Sequence, residues 1–133
     1  MALRTVDQLV TKSQVVSLPR DTSVRQASQV MAEHGIGALL IMEDDALLGI
    51  FSERDALTRV VAQGLDPDET SLAEAMTANP VTITPKTLAV DALRLMTEIG
   101  FRHLPIVEED HVLGVISLRD FVGAEFQLAG EPA

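Results

Sequence analysis

Two tetrapeptides place a hydroxyl, a cation and a carboxylate within one turn of backbone: Ser52-Glu53-Arg54-Asp55 and Ser117-Leu118-Arg119-Asp120. Each follows a glycine and an apolar pair, Gly49-Ile50-Phe51 and Gly114-Val115-Ile116, so the pattern reads as a strand that ends where a helix begins. Two readings of this chemistry stand side by side. In the architectural one, Ser52 and Ser117 accept from free backbone N–H groups and Asp55 and Asp120 answer the positive end of the helix, a capping box with Asp in place of Glu that stabilises by about 1 kcal/mol. In the other, the same junction is a site for an anion or a hydroxyl-rich ligand. A carboxylate accepts from both hydroxyls of a ribose and the serine joins it, while Arg54 and Arg119 meet phosphate. Ile50 and Val115 suit the flat face of a base.

The elements that must position these residues are written twice. At an offset of 65 residues, positions 31–55 align with 96–120 without a gap, pairing Met31/Met96, Gly35/Gly100, Leu39/Leu104, Ile41/Ile106, Gly49/Gly114, Ser52/Ser117, Arg54/Arg119 and Asp55/Asp120. Each half predicts a short helix starting at Thr5 or Ser71, then a brief extended run (QVVSL, PVTIT). A helix with an apolar face follows, capped by Thr22 or Thr87 and ended by Gly35 or Gly100. Two strands come next, joined at the acidic turns EDDA and EEDH, and a helix follows each Ser-x-Arg-Asp, ERDALTRVVAQ and LRDFVGAEFQL. Pro105 marks a sheet edge or a break in ladder bonding. The halves run over 1–66 and 67–133, and the short connection at 64–70 predicts that they pack together.

Composition narrows the function. Ten basic against twenty acidic residues give a net charge of −10, and the four aromatic residues are all Phe. Both features oppose binding to nucleic acid or to anionic membrane. Cysteine is absent, no stretch reads as a signal peptide or membrane span, and the expected location is the cytoplasm. His34, His103 and His111 lack metal-ligand spacing, so no metal site is expected. No nucleophile–base set or glycine-rich phosphate loop is present, and the chain is not expected to be an enzyme.

The doubled G-h-h-S-x-x-D phrase, the RHLPIV stretch and the MT-x-x-P-V-T-I segment together resemble the CBS-domain pair, or Bateman module, over about Thr5 to Gln127. The resemblance implies an α+β fold, an α/β sandwich of two pseudo-symmetric β-α-β-β-α repeats packed sheet to sheet with helices outside. It also implies an adenosyl ligand between the repeats: AMP, ADP or ATP first, with S-adenosylmethionine or NAD(H) as further regulatory ligands and no obligatory cofactor. Carried over residue by residue, Ser52, Asp55, Ser117 and Asp120 hold ribose. Val16, Ser17, Val81, Thr82 and Ile83 meet adenine, and Arg102, His103, Arg119 and Arg54 meet phosphate.

The halves differ where the second has Arg102-His103 and the first Gly37-Ala38. That asymmetry predicts one better site, associated with Ser117 and Asp120. The expected function is regulatory, acting in trans on an effector protein that the sequence does not name. The expected assembly is a homodimer through the helices after Asp55 and Asp120, with Phe121, Val122 and Phe126 either on that surface or in the core. The alternative is a ligand-free scaffold for dimerisation or partner docking.

Overall fold

The computed structural model describes residues 3–10 and 15–130 and forms two compact units. One spans Val15–Pro80; the other joins the leading segment to Val81 and the residues that follow. Sequence period and compact unit therefore divide the chain differently, because each leading helix belongs to the unit of the other half.

In the first of these units, β1 (Ser17–Leu18) pairs parallel with β2 (Ala38–Glu43), which pairs antiparallel with β3 (Ala46–Ser52). The order is completed by β4 (Thr77–Ala78), antiparallel to β3. The two-residue turn Asp44-Asp45 has positive φ at both positions, 49° and 67°, the twist that suits a tight hairpin. Helix α2 (Val24–His34) places Val24, Ala27 and Met31 against Leu39 and Ile41 of β2 and Phe51 of β3. Leu40 and Ile50, opposite each other and on the other sheet face by strand alternation, are buried as well. Helix α3 (Glu53–Asp55) runs into a wider, π-helical stretch, Ala56–Val61. There the Ala62 N–H reaches the carbonyl of Leu57, while the Thr58 hydroxyl donates to the Arg54 carbonyl. Helix α4 (Leu72–Ala75) completes this core with Leu72 and Ala75.

In the other unit, α1 (Val6–Leu9) sets Val6 against α5 (Ala89–Ile99). Strands β5 (His103–Glu108) and β6 (His111–Ser117) form a hairpin whose turn, Glu109-Asp110, again has positive φ, 50° and 65°. Leu104, Ile106 and Ile116 pack on Ala92, Leu93 and Met96, so Met31 and Met96 are both core residues. The N–H of Val6 donates to Thr87 and that of Ala89 to Arg4, which seats the leading segment beside α5.

Several expectations are corrected. The cap of α2 is Ser23, whose hydroxyl accepts from the Gln26 N–H at 3.1 Å, and α5 begins after Leu88 with no side-chain cap. The first N–H of each helix instead finds a carbonyl from a leading segment, Thr70 for Val24 and Arg4 for Ala89, so threonine is not needed there. The expected continuous helix after Ser117 is broken. A 3₁₀ turn (Leu118–Asp120) ends at Phe121, and α6 (Gly123–Ala129) starts afresh. Phe121 is drawn into the core, where its ring meets Phe126 edge to face at 6.2 Å.

Pro105 lies inside β5, not at its end, and is fully buried. Its carbonyl accepts from Ile83, so its nitrogen faces that same side and no β5–β6 bond is lost. The equivalent Leu40 donates its N–H to Val16. Proline cannot, and the parallel strand of this unit shrinks to a single bridge, Ile83 with Ile106. Among the described residues, no helix is long and apolar enough to cross a membrane.

Candidate functional site

Both Ser-x-Arg-Asp phrases sit where a hairpin's second strand turns into a helical segment. At the first, the Ser52 N–H donates to Asp55 Oδ2 at 3.0 Å and the Asp55 N–H to Ser52 Oγ at 3.1 Å. At the second, the Ser117 N–H donates to Asp120 Oδ2 at 2.7 Å, with Ser117 Oγ 3.3 Å from the same oxygen. The capping box is thus complete at the first junction, while at the second the carboxylate takes both the Ser117 N–H and its hydroxyl. Each aspartate is thereby held beside its serine, and both are partly buried.

The basic residues gather at the second junction. The carbonyl of Arg102 accepts from the Leu118 N–H at 3.1 Å, and His103 lies directly across the ladder from Ser117. Side chains opposite each other in a ladder share one face, so His103 and Ser117 are neighbours there. Arg102 and Arg119 are exposed. The first junction has the same backbone arrangement, Glu53 N–H to Gly37 carbonyl and Ala38 opposite Ser52, without a basic side chain at those two positions. Arg54 is exposed at its mouth.

The residues expected to meet adenine are distributed unevenly. Val16 has its carbonyl in the sheet and its side chain against the core, and Ser17 is exposed on β1. Ile50 is buried on β3, and Val115 is half-buried opposite Pro105. Val81 and Thr82 are exposed, whereas the Ile83 side chain belongs to the core with Leu104 and Ile116, leaving its backbone bonded to Pro105 and Val107. Of the apolar residues expected on an association surface, Phe121 is core while Val122 and Phe126 are about half exposed.

The model of the CBS domain matches residues 6–62 and again residues 72–126. The chain belongs to the CBS domain family. It carries a tandem CBS pair, and several relatives are described by that domain. The CBS domain-containing protein CBSCBSPB3 of Arabidopsis thaliana is 40% identical over 116 residues, 86% of this chain and 21% of the relative. The chain spans about a fifth of the length of the plant relatives it matches first. Against the CBS domain-containing protein YhcV of Bacillus subtilis it is 31% identical over 121 residues, 91% of this chain and 84% of that one. The CBS domain protein PAE2072 of Pyrobaculum aerophilum, solved in complex with AMP, superposes with a TM-score of 0.83 at 27% identity, covering 95% of this chain and 98% of that one. The mixed α+β fold is that of CBS domain proteins.

Two arginines at the CBS junctions escaped the sequence reading. Arg59 lies one helical turn beyond Asp55, its Nε 3.5 Å from Asp55 Oδ1, and its Nη1 donates to the Met76 carbonyl at 2.9 Å. The acid-then-base spacing of four was a usable signal. Arg4 had none: it holds Glu125 of α6 and brings its Nη2 within 3.5 Å of the Asp120 carbonyl, 116 residues away. That contact raises the affinity of Arg4 for its proton and holds the Glu125 carboxyl below its usual range, the hydrogen bond outweighing the opposing effect of burial.

Proposed function

We propose that this CBS pair is a regulatory module that binds an adenosyl ligand, AMP, ADP or ATP before S-adenosylmethionine or NAD(H), with the ribose diol on Asp120 and Ser117. One observation carries the reading: the Arg102 carbonyl is tied to Leu118 and His103 stands opposite Ser117, so two basic residues flank the one hydroxyl–carboxylate junction. In an acidic chain of net charge −10, such a local cluster suits a phosphate. Arg119 adds a further cation, and Val115 supplies apolar surface for the base. The first junction, with Ser52, Asp55 and Arg54, is the weaker site. The AMP complex of the Pyrobaculum protein supports the ligand class.

Binding shifts the population between conformations that an effector protein distinguishes, and the output is exerted in trans without catalysis. Leu57 and Val61, exposed on the π-helical stretch, and Leu65 just after it offer one apolar patch for a homodimer, and Val122 and Phe126 offer another in the other unit. The competing reading is a ligand-free scaffold. It draws on the local hydrogen bonds that tie each serine to its aspartate, which account for Ser-x-Arg-Asp without any ligand.

Calorimetric titration of purified protein with AMP, ADP, ATP, S-adenosylmethionine and NADH, repeated with Asp120→Ala, separates the two. Saturable binding of one compound, reduced in the variant to the weak binding of the first junction, is the expected result. No heat from any of them, with the protein folded and free of co-purified ligand, would leave the scaffold reading.

A further inference from the structure

The two junctions share a backbone arrangement but not a charge environment. At the first, Asp55 Oδ2 is engaged by the Ser52 N–H and Oδ1 faces the guanidinium of Arg59 at 3.5 Å. Arg59 is about half exposed, yet it is not a loose surface cation. Its Nη1 is anchored 2.9 Å from the carbonyl of Met76, the residue that ends α4, so the guanidinium spans from that carbonyl to the carboxylate. At the second junction the residue four after Asp120 is Ala124, which carries no charge. The nearby arginine, Arg4, spends its fork on Glu125 and reaches only the backbone carbonyl of Asp120.

We propose that Arg59 is a built-in occupant of the first junction: it takes the Asp55 oxygen that a ribose diol would engage and so directs an adenosyl ligand to Ser117 and Asp120. The inference rests on the adenosyl reading above and deepens it by naming a residue of the first junction that adds to the preference Arg102 and His103 give the second. The physical basis is competition for one acceptor. A diol must donate to a carboxylate oxygen, and an oxygen already facing a fixed guanidinium is the poorer acceptor for a neutral hydroxyl. Because Arg59 is half exposed, solvent screens the pair, and its effect amounts to a factor of about two to five in affinity. A ligand that does displace Arg59 from Asp55 leaves it bonded to Met76 alone, which would link occupancy of the first junction to the segment joining α4 and β4.

The test is calorimetric titration with AMP and with adenosine, in an Asp120→Ala background that closes the second junction. Adding Arg59→Gln should tighten binding at the first junction about two- to five-fold, and Asp55→Ala should abolish that gain. Arg59→Met, which keeps the aliphatic stem, provides the same test if the glutamine variant folds poorly. Arg59→Lys, which keeps the charge, should gain less than either. Unchanged or weaker binding in both neutral variants would overturn the proposal, the weaker result assigning Arg59 to the ligand's phosphate. If wild-type protein binds AMP, keeps only weak binding with Asp120→Ala and gains nothing from either Arg59 variant, this inference fails alone. If neither wild-type protein nor any Arg59 variant binds adenosine, AMP, ADP, ATP, S-adenosylmethionine or NADH, the adenosyl reading fails and takes this one with it.

Discussion

Arg4 and Glu125 are 121 residues apart in the chain and hold each other by two hydrogen bonds, Nε to Oε2 at 2.9 Å and Nη2 to Oε1 at 2.6 Å. Glu125 is buried, and its Oε1 also accepts from the Val122 N–H, so one carboxylate both starts α6 and fastens it to the leading segment. Arg4→Ala should lower unfolding stability by about 1–2 kcal/mol, because a buried acceptor loses its charged donor. Glu125→Gln should cost less, since the amide oxygen still accepts from Val122. Urea denaturation of the two variants checks the order; equal stability of wild type and Arg4→Ala would show the pair to be decorative.

The same pair sets an acid limb. The Glu125 carboxyl titrates below its ordinary value because of the Arg4 hydrogen bond, despite burial. A folded-state pKa below the unfolded one adds stability that is complete above the ordinary carboxylate range. It is lost as pH falls through the depressed value. Asp7, held low by Thr5 and then by Lys86, acts in the same direction. Stability should therefore hold from pH 7 down to the ordinary carboxylate range and fall below it, less steeply in Arg4→Ala. Parallel pH profiles for the two proteins would remove Glu125 as a source of the slope.

Gly49 is the point where β3 admits the end of α4. A Cβ there would lie 2.5 Å from Met76 Sδ and 2.8 Å from the Thr77 carbonyl oxygen. The thioether can swing aside, but the backbone oxygen sits in β4 and cannot move without opening its pairing with β3. Gly49→Ala should cost about 1–3 kcal/mol and raise amide exchange at Asn79, whose N–H donates to the Leu48 carbonyl.

Two further glycines should respond with opposite sign. Gly100 ends α5 at φ 76°, and alanine there should destabilise by about 1–2 kcal/mol although nothing crowds the position. Gly123 opens α6 outside the positive-φ region, with open space around it. Gly123→Ala should stabilise by about 0.4–1 kcal/mol through the unfolded chain. Thermal melts of both variants against wild type test this; a shared sign would contradict the backbone argument.

Features governed by neighbouring residues were readable from the amino-acid order: the doubled plan, the two acidic hairpin turns, the glycine ends of α2 and α5, and the hydrogen bonds within Ser52–Asp55 and Ser117–Asp120. Each depends on contacts within about one turn of chain, where residue type and spacing suffice. The Asp55–Arg59 pair belongs to this class too, and its four-residue spacing was there to be read.

Other features depended on which distant group arrived. Thr22 and Thr87 looked like caps, but carbonyls from Thr70 and Arg4 met the helix N–H groups and moved or removed the need. The helix after Ser117 broke because burying Phe121 and pairing Glu125 with Arg4 outweighed continuing it. Pro105 announced a missing N–H, yet only the fold showed which partner goes without, the parallel segment at Ile83 and not the hairpin. The sequence by itself determined two copies of one strand–turn–helix junction, because local backbone chemistry does not need the rest of the molecule. Tertiary structure decided which unit houses each leading helix, that Arg4 braces one junction, and that the Met76 carbonyl anchors Arg59 at the other. Those outcomes turn on through-space competition for a few carbonyls and carboxylates, which residue spacing does not encode.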